Sequence, residues 1–354
     1  MPPALRRFYR PLWLICAVGV TLVTAGAIGL YTWYYFDEAV GPRVLCLLYH
    51  RFVTPEEFAR CKGDDRYYAI PVGTFERQLA YLSSHGFHTL STRECLDFVK
   101  GRRQVPENSV YITIDDGYTS ALTRAQPLLK KFAMRATLFA TADPHADVFH
   151  RGNPPQNRMT DSELRRLDPG VIEVQAHGLT HRPLTHLKDT ELLTELTLAR
   201  DRLEHVLGHP VRCMAVPGND YDARVMSFAK AAGYEAVFTS DPGSLDAGDS
   251  LIGLPRVNVA GYFDTKAFAT LLDPASMARR RFIRAIAVVP RQILGSRVGG
   301  ALSSWVTRGF AREPSWSNYL TSGLVLTALV WCIPSVWSRR SLLTLRWINR
   351  REIS

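Results

Sequence analysis

No Cys-x-x-Cys pair occurs anywhere in these 354 residues, and the six cysteines are scattered. Cys16 and Cys332 lie in apolar runs, Cys46 and Cys213 in strand-like segments, Cys61 and Cys95 elsewhere. That distribution excludes a zinc-finger pattern and a disulfide scaffold, and leaves one unassigned disulfide open. Internal repeats and low-complexity tracts are missing too, which excludes a repeat array. No histidine follows His209. Charge is absent from two long stretches, Pro11–Phe36 and Pro314–Ser338. The charge that is present sums to +10, with a pI of about 9.4. Arginines crowd the ends, from Arg6, Arg7 and Arg10 to Arg279, Arg280, Arg281, Arg284, Arg339 and Arg340. A basic chain can serve nucleic acid. Cationic clusters flanking apolar runs suit a membrane surface instead, so no nucleic-acid partner is expected.

A charge-free run such as Pro11–Phe36 can cross a hydrocarbon core of ~30 Å as a helix. The arginines before it and Asp37 and Glu38 after it put the N-terminus in the cytoplasm. A cleaved signal peptide is the rival reading, because Ala25-Gly26-Ala27 resembles a cleavage site. The apolar run continues past that point, and Trp33, Tyr34 and Tyr35 read as the aromatic belt of a retained helix. The expected division is a cytoplasmic stub and anchor (1–38), a folded domain outside (39–273) and a basic amphipathic segment on the membrane (274–313). A second span (314–338) and a basic cytoplasmic tail (339–354) complete it. A solvated helix with an arginine face is the alternative for the amphipathic segment, and Arg308 and Arg312 speak against the orientation of the second span.

Between the two bare runs, strands and helices alternate. Strands are expected over Arg43–Leu48, Val110–Ile114, Ala136–Ala140, Val171–Val174, Val211–Val216, Ala236–Thr239 and Leu254–Val259. Helices are expected over Phe75–Phe87, Glu94–Lys100, Ala121–Phe132, Glu191–Leu207 and Ala223–Ala232, with a capping box at Thr160 and Glu163. The stretch from Phe52 to Pro71 reads as turns. This alternation predicts an α/β fold with a parallel sheet or barrel and right-handed crossovers.

Two places carry candidate chemistry. Val110–Ile114 runs straight into Asp115, Asp116 and Gly117. A strand that ends this way leaves two carboxylates at its carboxyl end, where α/β folds build their sites. Adjacent carboxylates repel, so the pair needs a cation or a shared proton. A plain Asp-Gly hairpin turn is the alternative. The second place is His177-Gly178-Leu179-Thr180-His181, again just after a strand. Histidines four apart can face one metal, although a pair of surface histidines reads the same way, and His186 lies nearby. Parallel strands would bring both places to one face. Two imidazoles and one of the carboxylates then make a three-ligand set with open positions, and the other carboxylate is free to act as a base.

At these residues the chain resembles the polysaccharide deacetylases, carbohydrate esterases that remove acetyl groups from sugars. The resemblance spans about 43–272. Thr113-Ile114-Asp115-Asp116-Gly117-Tyr118 matches the family's first motif; His177 and His181 match its second, with Gly178 where Ser or Thr is usual. The third motif departs: Ala215-Val216-Pro217-Gly218 lacks the arginine that would orient the catalytic aspartate. The late histidine that supplies the general acid is missing as well. Both departures are similar to the branch acting on poly-N-acetylglucosamine, where a histidine in an early Tyr-His segment serves instead; His50 matches it. The resemblance implies a distorted (β/α) barrel with fewer than eight full units, which would lie between the two transmembrane helices expected from the charge-free runs. It implies a divalent metal, zinc before others, on Asp116, His177 and His181, with Asp115 as base and His50 as acid. The Gly218 N–H would serve the oxyanion, with Pro217 and Tyr118 on the substrate side. The expected substrate is an N-acetylated polysaccharide outside a bacterial cytoplasmic membrane, with membrane lipid as a further partner. A lipid-linked or O-acetylated sugar stays open as a substrate, and so does a sugar-binding protein with a decayed site.

Overall fold

The computed structural model describes residues 43–145 and 157–273, the pair 275–276, and scattered helical positions between 18 and 33. The chain divides into two compact units, one of 40–277 and one of 1–39 with 278–354. Among the described residues, no helix is long and apolar enough to cross a membrane. The expected first span is described only at scattered helical positions. The amphipathic segment (beyond 275–276), the second span and the tail lie outside the described residues.

In the larger unit, β1 (Val44–Tyr49), β2 (Ser109–Asp116), β3 (Ala136–Ala140), β4 (Ile172–Ala176), β5 (Cys213–Ala215), β6 (Ala236–Phe238) and β7 (Ile252–Leu254) lie side by side in that order. Every neighbouring pair is parallel. A last strand, β8 (Val257–Asn258), pairs parallel with β1 through Leu47 and Leu48 and so nearly closes a barrel. Its strands are buried on both faces, which is why they read as unbroken apolar, β-branched runs. Residues alternate between two cores. Val110, Ile112 and Ile114 of β2 face the surrounding helices, whereas Tyr111 joins Cys46, Phe139 and Phe238 in a second cluster on the opposite face of the sheet. Tyr111, Thr113 and Asp115 share that inward face, so the alternation of β2 aims Asp115 into the barrel.

The expected last strand, Leu254–Val259, is in fact two. Pro255 has no N–H to give to a ladder, and the Arg256 N–H goes to the Asp241 carbonyl at 2.9 Å. The chain therefore leaves β6 after Leu254 and joins β1 at Val257. The expected Ala121–Phe132 helix opens with a π-type turn over Ala121–Ala125 before Gln126–Lys131, where Pro127 removes a donor. The stretch to Pro71 is more ordered than its turn residues suggest. Thr54 and Glu57 form a capping box on a helix over Pro55–Arg60, and Arg51–Val53 pairs parallel with Ala69–Pro71. Cys46, Cys61, Cys95 and Cys213 are all free thiols, so no disulfide joins them.

Candidate active site

The carboxyl ends of β1, β2 and β4 meet at a cavity of about 350 Å³, lined by His50, Asp115, Asp116, Tyr118, His177, His181 and Gly218 among others. In a regular strand Asp115 and Asp116 would point to opposite faces. Asp116 instead has φ 76 and Gly117 φ 81, and this left-handed pair turns the backbone so that both carboxylates face the cavity. Gly117 also lies where a Cβ would come within 3.2 Å of Ala140 Cβ, so the turn needs glycine to sit against the end of β3.

His177 Nε2 lies 3.5 Å from Asp116 Oδ1, and His181 Nε2 lies 3.2 Å from the same oxygen. The ligating atoms of the three residues all fall within 4.8 Å of one another. His177 Nδ1 sits 2.9 Å from the Ala215 carbonyl, which can only accept. His177 therefore donates its Nδ1 proton to that carbonyl, which leaves Nε2 as the atom directed at Asp116 Oδ1. This donor set fits a divalent cation. Burial alone would raise the Asp116 carboxyl; the facing His177 and His181 rings outweigh it and hold the group well below the usual carboxylate range.

The histidine loop is held from behind. Glu195, buried in the long helix Asp189–Leu207, accepts from the Thr180 N–H at 2.6 Å and from its hydroxyl. Gly178 has φ 75, and a Cβ there would meet Pro217 Cγ at 3.2 Å and Glu195 Oε1 at 3.3 Å. The glycine in place of the usual Ser or Thr therefore has a steric cause.

Asp115 is buried. Its partner is Arg256, fully buried, which donates from one guanidinium nitrogen to Oδ1 at 2.6 Å and from the other to Oδ2 at 2.8 Å. Arg256 Nε donates to the Thr239 carbonyl, and the guanidinium lies 5.2 Å from the centre of the Phe139 ring. Burial would raise the Asp115 carboxyl; Arg256 first, with the nearby His177 and His50 rings, more than reverses that. The arginine missing from the third motif thus enters from the break between β7 and β8. Sequence reasoning passed over it, though an arginine inside an otherwise apolar strand was a visible signal.

His50 follows β1 and lines the same cavity, its ring packed edge-on against Tyr68 at 4.6 Å between centroids. Burial lowers its pKa below the ordinary imidazole value. Tyr118 lines the cavity, and burial and the Asp116 charge keep its phenol protonated. Gly218 lies on the wall with φ 59. Pro217 does not reach the cavity. It is buried against the Gly178 turn, and Val216 and Asn219 line the wall beside Gly218 instead.

The family model described as polysaccharide deacetylase matches residues 102–237. The protein YxkH of Bacillus subtilis, named provisionally as a polysaccharide deacetylase, is 24% identical over 204 residues, which are 58% of this chain and 70% of YxkH. The poly-beta-1,6-N-acetyl-D-glucosamine N-deacetylase of Staphylococcus aureus (strain MRSA252) is 28% identical over 138 residues, 38% of this chain and 46% of that one. The matched stretch therefore spans less than half of the staphylococcal protein. Among solved structures, the Streptococcus pyogenes deacetylase PplD in complex with acetate superposes with a TM-score of 0.57 at 20% identity, over 66% of this chain and 100% of PplD. That likeness shows the fold.

Proposed function

The chain carries a polysaccharide deacetylase domain and is a hydrolase of that kind, and from this premise we propose that it removes N-acetyl groups from an N-acetylglucosamine-type polysaccharide outside the cytoplasmic membrane. The observation that carries the reading is the cavity itself: Asp116, His177 and His181 converge on one point, with Asp115 held by Arg256 beside them. The name of the staphylococcal relative supports the substrate class. The terminal arginine clusters support the location.

Asp116, His177 and His181 would hold a divalent cation, zinc before others. When bound, it supplies Lewis acidity to the acyl oxygen and acidifies water. The rest falls to side chains. Asp115, kept ionised by Arg256, takes a proton from the attacking water. The fork from Arg256 fixes the carboxylate plane, so the free lone pairs point to the cavity. His50 gives a proton to the leaving amine, which departs badly without one. Gly218 lines the wall, where its N–H would serve the oxyanion, and Tyr118 would offer a phenol proton to the sugar. The alternative of a decayed, sugar-binding site is favoured by the missing motif arginine and the missing late histidine; the Arg256–Asp115 pair weighs against the first of these grounds.

The test is acetate release from acetylated glucosamine oligomers, followed by mass spectrometry, with metal content measured in parallel. Alanine at Asp116, His177 or His181 should abolish bound metal and activity together. Full metal content in all three variants would sink the assignment.

A further inference from the structure

Tyr68 and Tyr262 leave 42% and 61% of their surface in solvent, although both stand on closely held backbone. Tyr68 ends the short helix Asp65–Tyr68, tied down by the Arg51–Asp65 ion pair at 3.0 Å. Tyr262 follows Gly261, whose N–H donates to the Tyr67 carbonyl at 2.9 Å. A Cβ on Gly261 would lie 1.8 Å from the Ala69 carbonyl oxygen and 2.7 Å from that of Arg66. Only glycine lets this turn lie against the 66–69 segment, and Tyr262 is displayed as a result. Large rings exposed together beside a cavity mark a contact surface.

The rings form one continuous surface that begins in the active-site cavity. Tyr68 lines the cavity and touches His50. Tyr67 meets Tyr68 at 5.0 Å between centroids and Tyr262 at 6.1 Å, so the surface leads from the candidate proton donor to the outside. A tyrosine offers a broad apolar face with a hydroxyl at its tip. That matches a sugar ring, whose C–H groups cover its faces and whose hydroxyls ring its edge. A cavity of about 350 Å³ has room for little more than the reacting sugar.

We propose that Tyr68 and Tyr262 form a stacking platform for the sugar units of the substrate chain that adjoin the unit in the cavity. The enzyme then selects an oligosaccharide or polymer over a single sugar. The proposal rests on reading the cavity as a sugar deacetylase site, and binding separates the two claims.

The full chain is titrated with N-acetylglucosamine and with its β-1,6-linked pentamer, and acetate release is measured on the same samples. Wild type should prefer the pentamer. Tyr262→Ala should cut that preference roughly three- to tenfold, the size of one lost aromatic contact. Tyr262→Gln, which keeps hydrogen bonding and loses the flat ring, should do the same, and Tyr262→Trp should restore the preference. Unchanged pentamer affinity in Tyr262→Ala overturns the proposal. So does a variant that keeps the pentamer but loses binding to anionic phospholipid vesicles, which would make the tyrosines a membrane contact. Pentamer binding that depends on Tyr262 without any acetate release would instead overturn the reaction and leave the platform standing. A wild type that binds neither sugar overturns both.

Discussion

At the scale of single residues, the site turns on one arginine. Asp115 is legible as a reactive group because two carboxylates end a strand. Its partner is not, because Arg256 lies far off in sequence and no spacing rule joins them. With Arg256 in place the Asp115 pKa is depressed, so their stabilising interaction is complete above the ordinary carboxylate range of ~3.9 and is lost only as pH falls through the lower, folded value. Replacing Arg256 by Met leaves a buried, unpaired carboxylate and should cost about 3–5 kcal/mol of stability in chemical denaturation. Arg256→Lys keeps the charge without the fork. It should fold, with a reduced kcat/KM whose acid limb moves to higher pH, because Asp115 is then ionised less readily. An acid limb that stays where it is in wild type would remove Asp115 as the base. His50 makes the complementary case. Its ring must be protonated to act, and burial lowers its pKa, so the alkaline fall of kcat should set in below pH ~6.5, the reference value for imidazole. His50→Ala should retain metal and lower kcat by roughly 10²–10⁴-fold. It should spare esters more than amides, because an alkoxide needs less help in leaving. Near-normal amide hydrolysis would hand the role to another group.

At the scale of elements, strands were the easiest to read and their ends the hardest. Parallel strands covered on both faces are apolar throughout, so β2 and β3 stand out in the sequence. The break between β7 and β8 does not, because the apolar pattern continues on either side of Pro255-Arg256 and only the path of the backbone changes. The Asp189–Leu207 helix, stopped by Gly208 at φ 71, was equally plain. Its contribution to the site was not. Glu195 reads as one more polar position on an amphipathic helix, yet it is buried and holds Thr180 between the two histidines. Glu195→Ala should weaken divalent-metal binding by about 10–100-fold, as measured by chelator competition, the range seen when a supporting partner of a ligand is removed. Glu195→Asp should recover part of the loss. Unaltered affinity in the alanine variant would mean that the loop holds its shape alone.

At the scale of the whole molecule, the two charge-free runs and their arginines make a prediction independent of the barrel. Both ends of the chain should face the cytoplasm, with 39–273 outside. An alkaline phosphatase reporter fused after Ser354 should be inactive, and one fused at about residue 273 active; the reverse result refutes this arrangement. The closing strand has a different kind of consequence, one that concerns time. The Asp115–Arg256 pair spans 141 positions of chain. Bringing such distant segments together is slow, because the entropy of closing the loop is lost before any contact compensates for it. Asp115 leaves the ribosome well before Arg256, so a chain still being made holds the acid without its counterion. The same few residues that shut the barrel deliver that counterion. Pairing of Asp115 is therefore coupled to closure of the barrel, and a molecule in which β8 has not yet docked holds this carboxylate without the arginine that keeps it ionised.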